Sequence, residues 1–355
     1  MSRRFHRGLV VGKFAPLHRG HQAVIEHAMR TCDDVLLLSY SKPELPGCPP
    51  SERRRWLAEL YPTLQSLVVD DPWLEEHAPE GFPFRQLPEN DAPVDMHRRF
   101  CAALCEVAGG DPPDAVFTSE AYGPGFACAL EQCFGRGQVA HVEVDIRRER
   151  VPISGTRIRA DPSAHRAWLA PTVFSSFMPR VALLGAESTG KSVLAAALAE
   201  RLGTVFVPEF GREHWLAREG RLAFDDMLLI AREQVGREVA LAHSAHGVLV
   251  CDTSPLTTRF YSETLFGRLD PELARLSRRS YDLIVFCQPD FPFVQDGTRT
   301  GPSFSDRQHR WHVNELSWNQ SPVHIASGSL EVRVRTTLDR IAQCPSLASV
   351  RIPFA

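Results

Sequence analysis

The sequence predicts an α/β protein of two domains, each built on a mainly parallel sheet. Three observations carry that prediction. A chain of 355 residues exceeds what one hydrophobic core usually supports. Apolar strands alternate with helical stretches through both halves. Two phosphate-handling signatures, GKFAPLHRGH at 12–21 and GAESTGKS at 185–192, each fall where a strand gives way to a helix.

In the first half, strands are expected at 7–12 (RGLVVG), 34–40, 66–70, 114–118 and 139–145, with helices near 20–31, 51–60, 94–108 and 123–134. Residues 71–92 are rich in Pro, Glu and Asp and lack periodicity, so they read as a surface insertion and a candidate lid. Three prolines and several small residues between 160 and 179 mark the boundary, giving domains at 1–165 and 178–355 with a linker at 166–177. In the second half, RVALLG at 180–185 starts a fresh strand, followed by a helix at 190–202, a strand at 204–207 and helices at 210–219 and 224–245. Strands at 247–252 and 281–287, a Gly/Pro/Asp-rich loop, and helices at 305–318 and 328–343 complete the domain.

Composition narrows the function. With 43% apolar and 23% charged residues the chain is ordinary for a soluble globular protein, and a formal charge of −3 gives no global attraction for nucleic acid. The expected partners are therefore small molecules, with no nucleic acid and no membrane; a homo-oligomer is compatible with the sequence, which does not decide it. The N-terminal apolar run is too short for a signal segment and nothing approaches the ~18 apolar residues of a bilayer span, so a cytoplasmic location is expected. The nine cysteines form no CxxC and no zinc-spaced cluster; Cys101 and Cys105, four apart on a helix, read as small buried residues before they read as a redox pair.

The first signature follows an apolar strand and leads into a helix. Gly12 permits close approach of a phosphate beside Phe14, and His18 and His21 flank the helix start, where free N–H groups favour an anion. The imidazoles donate to phosphate oxygens and Lys13 adds fixed charge. After the fifth strand, ISGTRIR offers Ser154, Thr156 and Arg159 as further phosphate ligands. Solvated surface histidines would account for the first element alone, but not for the two together. The pair resembles the HxGH nucleotidyltransferase superfamily, whose Rossmann-like domain implies attack of an acceptor on the α-phosphorus of ATP, with pyrophosphate leaving and no covalent enzyme intermediate. For the acceptor, Trp56 beside Arg53, Arg54 and Arg55 is a candidate stacking residue, or else one core aromatic next to a solvated basic face. Glu120 and Tyr122, in the TSEAYG loop after a strand, are better placed to line a pocket.

GAESTGKS fits GxxxxGK[ST] in the strand-to-helix setting that identifies a P-loop. Gly185, Glu187, Ser188, Thr189 and Gly190 form the phosphate cradle, Lys191 reaches the β- and γ-phosphates, and Ser192 ligates Mg²⁺. Asp252, ending a buried strand, suits Mg²⁺ or an acceptor hydroxyl, and capping of the next helix is compatible with either role. PEFGREHW at 208–215 offers Glu209 and Glu213 to take a proton from a sugar hydroxyl, unless either one pairs with Arg212. The loop with Asp296, Gly297 and Arg299 reads as a kinase lid, Arg299 and Arg307 closing over the phosphoryl group. Phe291, Phe293 and Trp215 are candidates to stack on a base or to pack the core.

Taken in order, GKFAPLHRGH, TSEAYG, ISGTRIR, GAESTGKS, PEFGREHW, VCDTSPLTT and FVQDGTR resemble the bifunctional family that joins nicotinamide-mononucleotide adenylyltransferase to ribosylnicotinamide kinase, the NadR type, over residues 7–320. The resemblance implies that a C-terminal P-loop kinase phosphorylates nicotinamide riboside with Mg-ATP and that the N-terminal domain adenylylates the mononucleotide to NAD. The first strand starts too early for the helix-turn-helix domain of some members, so DNA binding is not expected. Two alternatives are a fusion of the same two chemistries acting on another acceptor, and a regulator that binds ATP and NAD with little turnover; intact His18, His21, Lys191 and Ser192 argue against the regulator.

Overall fold

The computed structural model describes residues 5–135, 137–348 and 350, so the basic start at 1–4 lies outside the described residues. The chain divides into two compact units, Met1–Phe177 and Met178–Ala355. Among the described residues no helix is long and apolar enough to cross a membrane.

The first unit runs β1 (Phe5–Val11), α1 (Arg19–Thr31), β2 (Cys32–Tyr40), α2 (Pro50–Leu60), β3 (Gln65–Val69), α3 (Asp71–His77), α4 (Val94–Ala108), β4 (Ala115–Thr118), α5 (Gly123–Phe134), β5 (Ala140–Glu143), α6 (Gly155–Ala160) and α7 (Pro171–Ser175). Its sheet has the order β3-β2-β1-β4-β5 and every pairing is parallel. Val11 pairs with Leu38 and Val10 with Phe117, so the loops after β1, β2 and β4 open on one carboxyl edge, where such sheets hold ligands. Leu9, Leu36 and Val116 are fully buried against Phe100, Leu104 and Leu130, as a sheet covered on both faces requires.

Residues 71–92 lie mostly at the surface, as expected, but open with the short helix α3 and are anchored to the unit. Asp70 caps α3 by accepting from the Trp73 N–H at 2.9 Å, the Leu87 N–H donates to Asp71 at 2.8 Å, and Phe82 and Phe84 pack edge-on against buried Phe100. Isolated aromatic anchors hold an irregular chain, which is why periodicity did not reveal them. The segment 166–177 is likewise no free linker: Leu169 bridges to His18, Phe174 is buried, and Pro171 starts a short helix. A proline at the first helical turn costs no hydrogen bond, so proline content there marked a helix start.

The second unit runs β6 (Arg180–Leu184), α8 (Lys191–Leu202), β7 (Phe206–Val207), α9 (Phe210–Ala217), α10 (Phe224–Ala242), β8 (Leu249–Asp252), α11 (Pro255–Phe266), α12 (Pro271–Ser277), β9 (Leu283–Cys287), α13 (Pro302–Ser317), β10 (Val323–Ala326) and α14 (Leu330–Gln343). Its sheet, β10-β9-β6-β8-β7, is also parallel throughout. β6 lies centrally; Leu183 pairs with Asp252 and Leu184 with Phe286, which sets the P-loop, the end of β8 and the end of β9 on one edge. β10 was not expected. It is an edge strand of four residues of which only Ala326 is fully buried, too weak a pattern to read.

Candidate active sites

The first site sits where β1 ends. His18 is the N-cap of α1: its Nδ1 accepts from the Gly20 N–H at 3.1 Å, while His21 Nδ1 accepts from the His18 N–H at 3.4 Å. The rings stack 3.9 Å apart, and Phe14 closes edge-on against His21. Since a backbone N–H can only donate, both Nδ1 atoms are acceptors and each neutral ring carries its proton on Nε2. Burial, reinforced by Arg148, pushes His18 down to about 4; burial and then the neighbouring His18 hold His21 well below the usual imidazole range. Both rings are therefore neutral at neutral pH, with a hydrogen bond between the His21 ring and the Pro16 backbone opposing the shift at that residue.

ISGTRIR meets this turn directly. Ser154 caps α6, and Arg159 donates to the Ala15 carbonyl and, at 3.2 Å, to Thr156 Oγ1. A Cβ on Gly155 would lie 2.9 Å from the Ala15 carbonyl oxygen, so only glycine permits this approach. Lys13 is exposed; desolvation and then Arg159 lower its ammonium, with Glu120 opposing. Phe14, at φ 46° and 1% exposed, offers backbone rather than side chain to a ligand next to Gly12. Glu120 and Tyr122 lie exposed in the loop after β4, with Glu120 3.6 Å from Arg148.

Trp56 is a correction. It is fully buried and donates through Nε1 to Ser176 at 2.9 Å, so it cannot stack on a ligand. Its arginine neighbours are structural too. Arg53 is buried on Glu44 and Ser39, Arg54 donates to the Val68 carbonyl and Asp70, and Arg55 holds Glu52, Glu59, Thr172 and Ser176. Sequence reasoning missed Arg148, whose loop is pinned by three N–H groups donating to Asp145. It also missed Tyr40 and His97, joined at 2.9 Å; burial, and then the charge of Lys13, lower His97. The basic run RRER before ISGTRIR was the available signal for Arg148.

In the second unit Gly185, at φ 149°, sits so close to the Cys287 carbonyl that a Cβ would fall 2.8 Å from it. Lys191 Nζ donates to the Gly185 and Ala186 carbonyls at 3.0 and 2.9 Å, and Thr189 Oγ1 to Ala186 at 2.9 Å. Buried Arg333 donates to the Thr189 carbonyl, tying Gly190's side of the loop to the end of β9 through Gln288.

Glu187 and Ser188 have a role the motif does not disclose. The Glu187 N–H is taken by Gln308, and its carboxylate accepts from the Thr300 N–H at 2.8 Å and the Tyr261 hydroxyl at 3.0 Å. Ser188 Oγ accepts from the Val294 N–H and from Arg299 at 3.1 Å. Arg299 also pairs with Asp296, which in turn pairs with Arg212 at 3.1 Å. The loop 294–300 is thus latched onto the phosphate loop. Arg307 instead lies over Phe304.

A cavity of 440 Å³ is lined by Lys191, Ser192, Glu209, Arg212, Thr253 and Arg299 together with the apolar Trp215, Leu222, Met227, Ile230 and Phe266. Glu209 is raised by burial, with the nearby Lys191 opposing. Asp252, 2% exposed, is also raised by burial; Ser192 hydrogen-bonds it, and its Oδ1 has no partner among the described residues. A hydroxyl beside a carboxylate with a spare buried oxygen fits Mg²⁺, which takes few protein ligands and completes its shell with phosphate and water. Among the described residues no cluster of three or more His, Cys, Asp or Glu suits a metal. Glu213 is a correction: Arg237 of α10 grips it at 2.8 Å through both oxygens and holds it below the usual carboxylate range, so it is no proton acceptor. Phe293 does not line the cavity, whereas Trp215 does. Phe291 lies under Arg333.

Residues 180–333 match the AAA domain family. The trifunctional NAD biosynthesis/regulator protein NadR of Escherichia coli (strain K12) is 27% identical over 319 residues, covering 85% of this chain and 73% of that protein. The protein of the same name from Salmonella typhimurium (strain LT2) is 27% identical over 322 residues, with the same coverage. A crystal structure of NadR in complex with NR is similar at a TM-score of 0.58 and 21% identity over 97% of both chains, and one in complex with NAD and AMP-PNP at 0.57 and 21% over 96% of both. At that identity the structural likeness speaks for the fold.

Proposed function

The chain belongs to the NadR type, and from that premise we propose that it makes NAD from nicotinamide riboside in two steps, both driven by ATP. The observation that carries the reading is the cavity in the second unit, which brings the P-loop lysine, the Glu209 carboxylate and an apolar, tryptophan-containing wall into one space of 440 Å³. A phosphate donor, a sugar hydroxyl and a flat ring find their chemistry there.

In the kinase step the riboside 5′-hydroxyl attacks the γ-phosphorus, its proton passes to Glu209, and the bond to the β–γ bridging oxygen breaks to release ADP. Glu209 suits that task because burial raises its proton affinity towards neutral pH. Lys191 and Arg299 offset charge on the phosphates, and Trp215 with Phe266 packs the ring. Mg²⁺, held by Ser192 and Asp252, supplies charge neutralisation when bound.

In the adenylyl step a phosphate oxygen of the mononucleotide attacks the α-phosphorus of a second ATP and pyrophosphate leaves. The nucleophile is already anionic, so no base is needed. His18, His21, Lys13, Arg159 and Arg148 donate to phosphate oxygens; Ser154 and Thr156 shape the turn that carries Arg159. Glu120 and Tyr122 remain the acceptor-side candidates.

Incubating the purified chain with Mg-ATP and nicotinamide riboside should yield the mononucleotide and then NAD by mass. No phosphorylation of the riboside would overturn this reading.

A further inference from the structure

Thr253 follows the β8 carboxylate and was given no role by any motif. Its backbone lies at φ 84°, a conformation in which a β-branched residue is a true outlier. Strain of this kind persists only where the surroundings over-determine it, and it gathers at functional sites. The Thr253 N–H still donates to Leu183 at 3.1 Å, so the strand continues to that point and the departure begins at this residue.

Thr253 lines the same cavity as Lys191, Ser192 and Glu209. It is 4% exposed, and its Oγ1 has no hydrogen-bond partner among the described residues. Buried hydroxyls are ordinarily satisfied. Its neighbours are: Ser254 caps α11 by accepting from the Leu256 N–H, and Thr257 contacts His312 at 3.3 Å. Asp252 Oδ1 is the other orphan at this spot, and Asp252 touches Ser192 of the phosphate loop.

We propose that Thr253 is a catalytic residue of the second unit, its hydroxyl donating a hydrogen bond to an oxygen of the terminal phosphoryl group as that group leaves a nucleoside triphosphate, with the left-handed backbone serving to aim it. The inference rests on the kinase reading of this cavity but not on which acceptor is used. The hydroxyl forms and breaks no covalent bond; it stabilises charge that builds on the phosphoryl oxygens.

The test compares Thr253→Val, Thr253→Ser and Thr253→Gly in the full chain, with nicotinamide riboside as acceptor and, separately, with water alone, read as ADP release from Mg-ATP. Thr253→Val keeps the shape and loses the donor, so kcat should fall about ten- to a hundredfold in both assays while the KM for riboside moves little. Thr253→Ser keeps the donor and should stay within about threefold of the parent. Thr253→Gly should melt higher than the parent, because the strain is gone, yet be as slow as the valine variant. A folded Thr253→Val with parental kcat overturns the proposal, as does a rise in riboside KM with kcat unchanged, which would make the hydroxyl an acceptor ligand. A parent protein that fails on riboside but releases ADP overturns the nicotinamide reading alone, and the water assay then still decides on Thr253.

Discussion

Glu209 and Glu213 stand one helical turn apart in PEFGREHW, and only their surroundings separate them. Glu213 meets Arg237 and stays an ordinary ion-paired anion; Glu209 turns into the cavity, where burial raises its proton affinity. Glu209→Gln should lower the kinase kcat by about 10²- to 10⁴-fold, the usual worth of a positioned base, with melting temperature nearly unchanged. Glu213→Gln should leave kcat near the parental value. The pH dependence carries a sign. A carboxylate whose proton affinity is raised loses its proton at higher pH, so kinase turnover should fall on acidification with a limb above the normal carboxylate range. His18 and His21 run the other way. Their affinities are lowered, so they stay neutral until the pH falls to about 4 for His18, and adenylyl transfer should persist under acid conditions that already slow the kinase. Parallel pH profiles of the two activities check both signs; coincident acid limbs would contradict them.

At the scale of elements, the P-loop does more than cradle phosphate. Two of its side chains, Glu187 and Ser188, hold the loop 294–300 that carries Arg299 and Asp296. Removing the carboxylate in Glu187→Ala should release that loop, seen as faster proteolysis within 294–300 and a kinase kcat reduced about tenfold, whereas Glu187→Gln keeps one acceptor and should lie between. Equal protease sensitivity of all three proteins would show that the latch does not hold the loop. The same scale shows what periodicity reads and what it does not. β1, β6 and β8 each contain an apolar run, Leu9–Val11, Val181–Leu184 and Leu249–Cys251, and were legible. β10, with one fully buried residue, was not, and the aromatic anchors of residues 71–92 carry no period.

Over the whole molecule, the described residues of each site belong to one compact unit, His18, His21 and Arg159 to Met1–Phe177 and Lys191, Glu209 and Asp252 to Met178–Ala355. The activities should therefore separate by point substitution. Lys191→Ala should abolish phosphorylation of the riboside and leave adenylylation of supplied mononucleotide intact, and His21→Ala should do the reverse. Loss of both activities from one substitution in a folded chain would show that the sites are not independent.

The α/β class, the two phosphate turns and the order of motifs could be read along the chain, because each rests on local chemistry: a glycine at a tight turn, a lysine at a helix start, an apolar run of strand length. The fate of the longer side chains was settled by packing. Trp56 and Trp215 look alike in sequence, yet one is sealed against Ser176 and the other lines the cavity. Arg53 and Arg148 both sit in basic runs, yet one is buried on Glu44 and the other faces Glu120 with its charge felt at His18. Which face a helix buries, and which partner lies across it, depends on residues far away in the chain, and no local pattern encodes them.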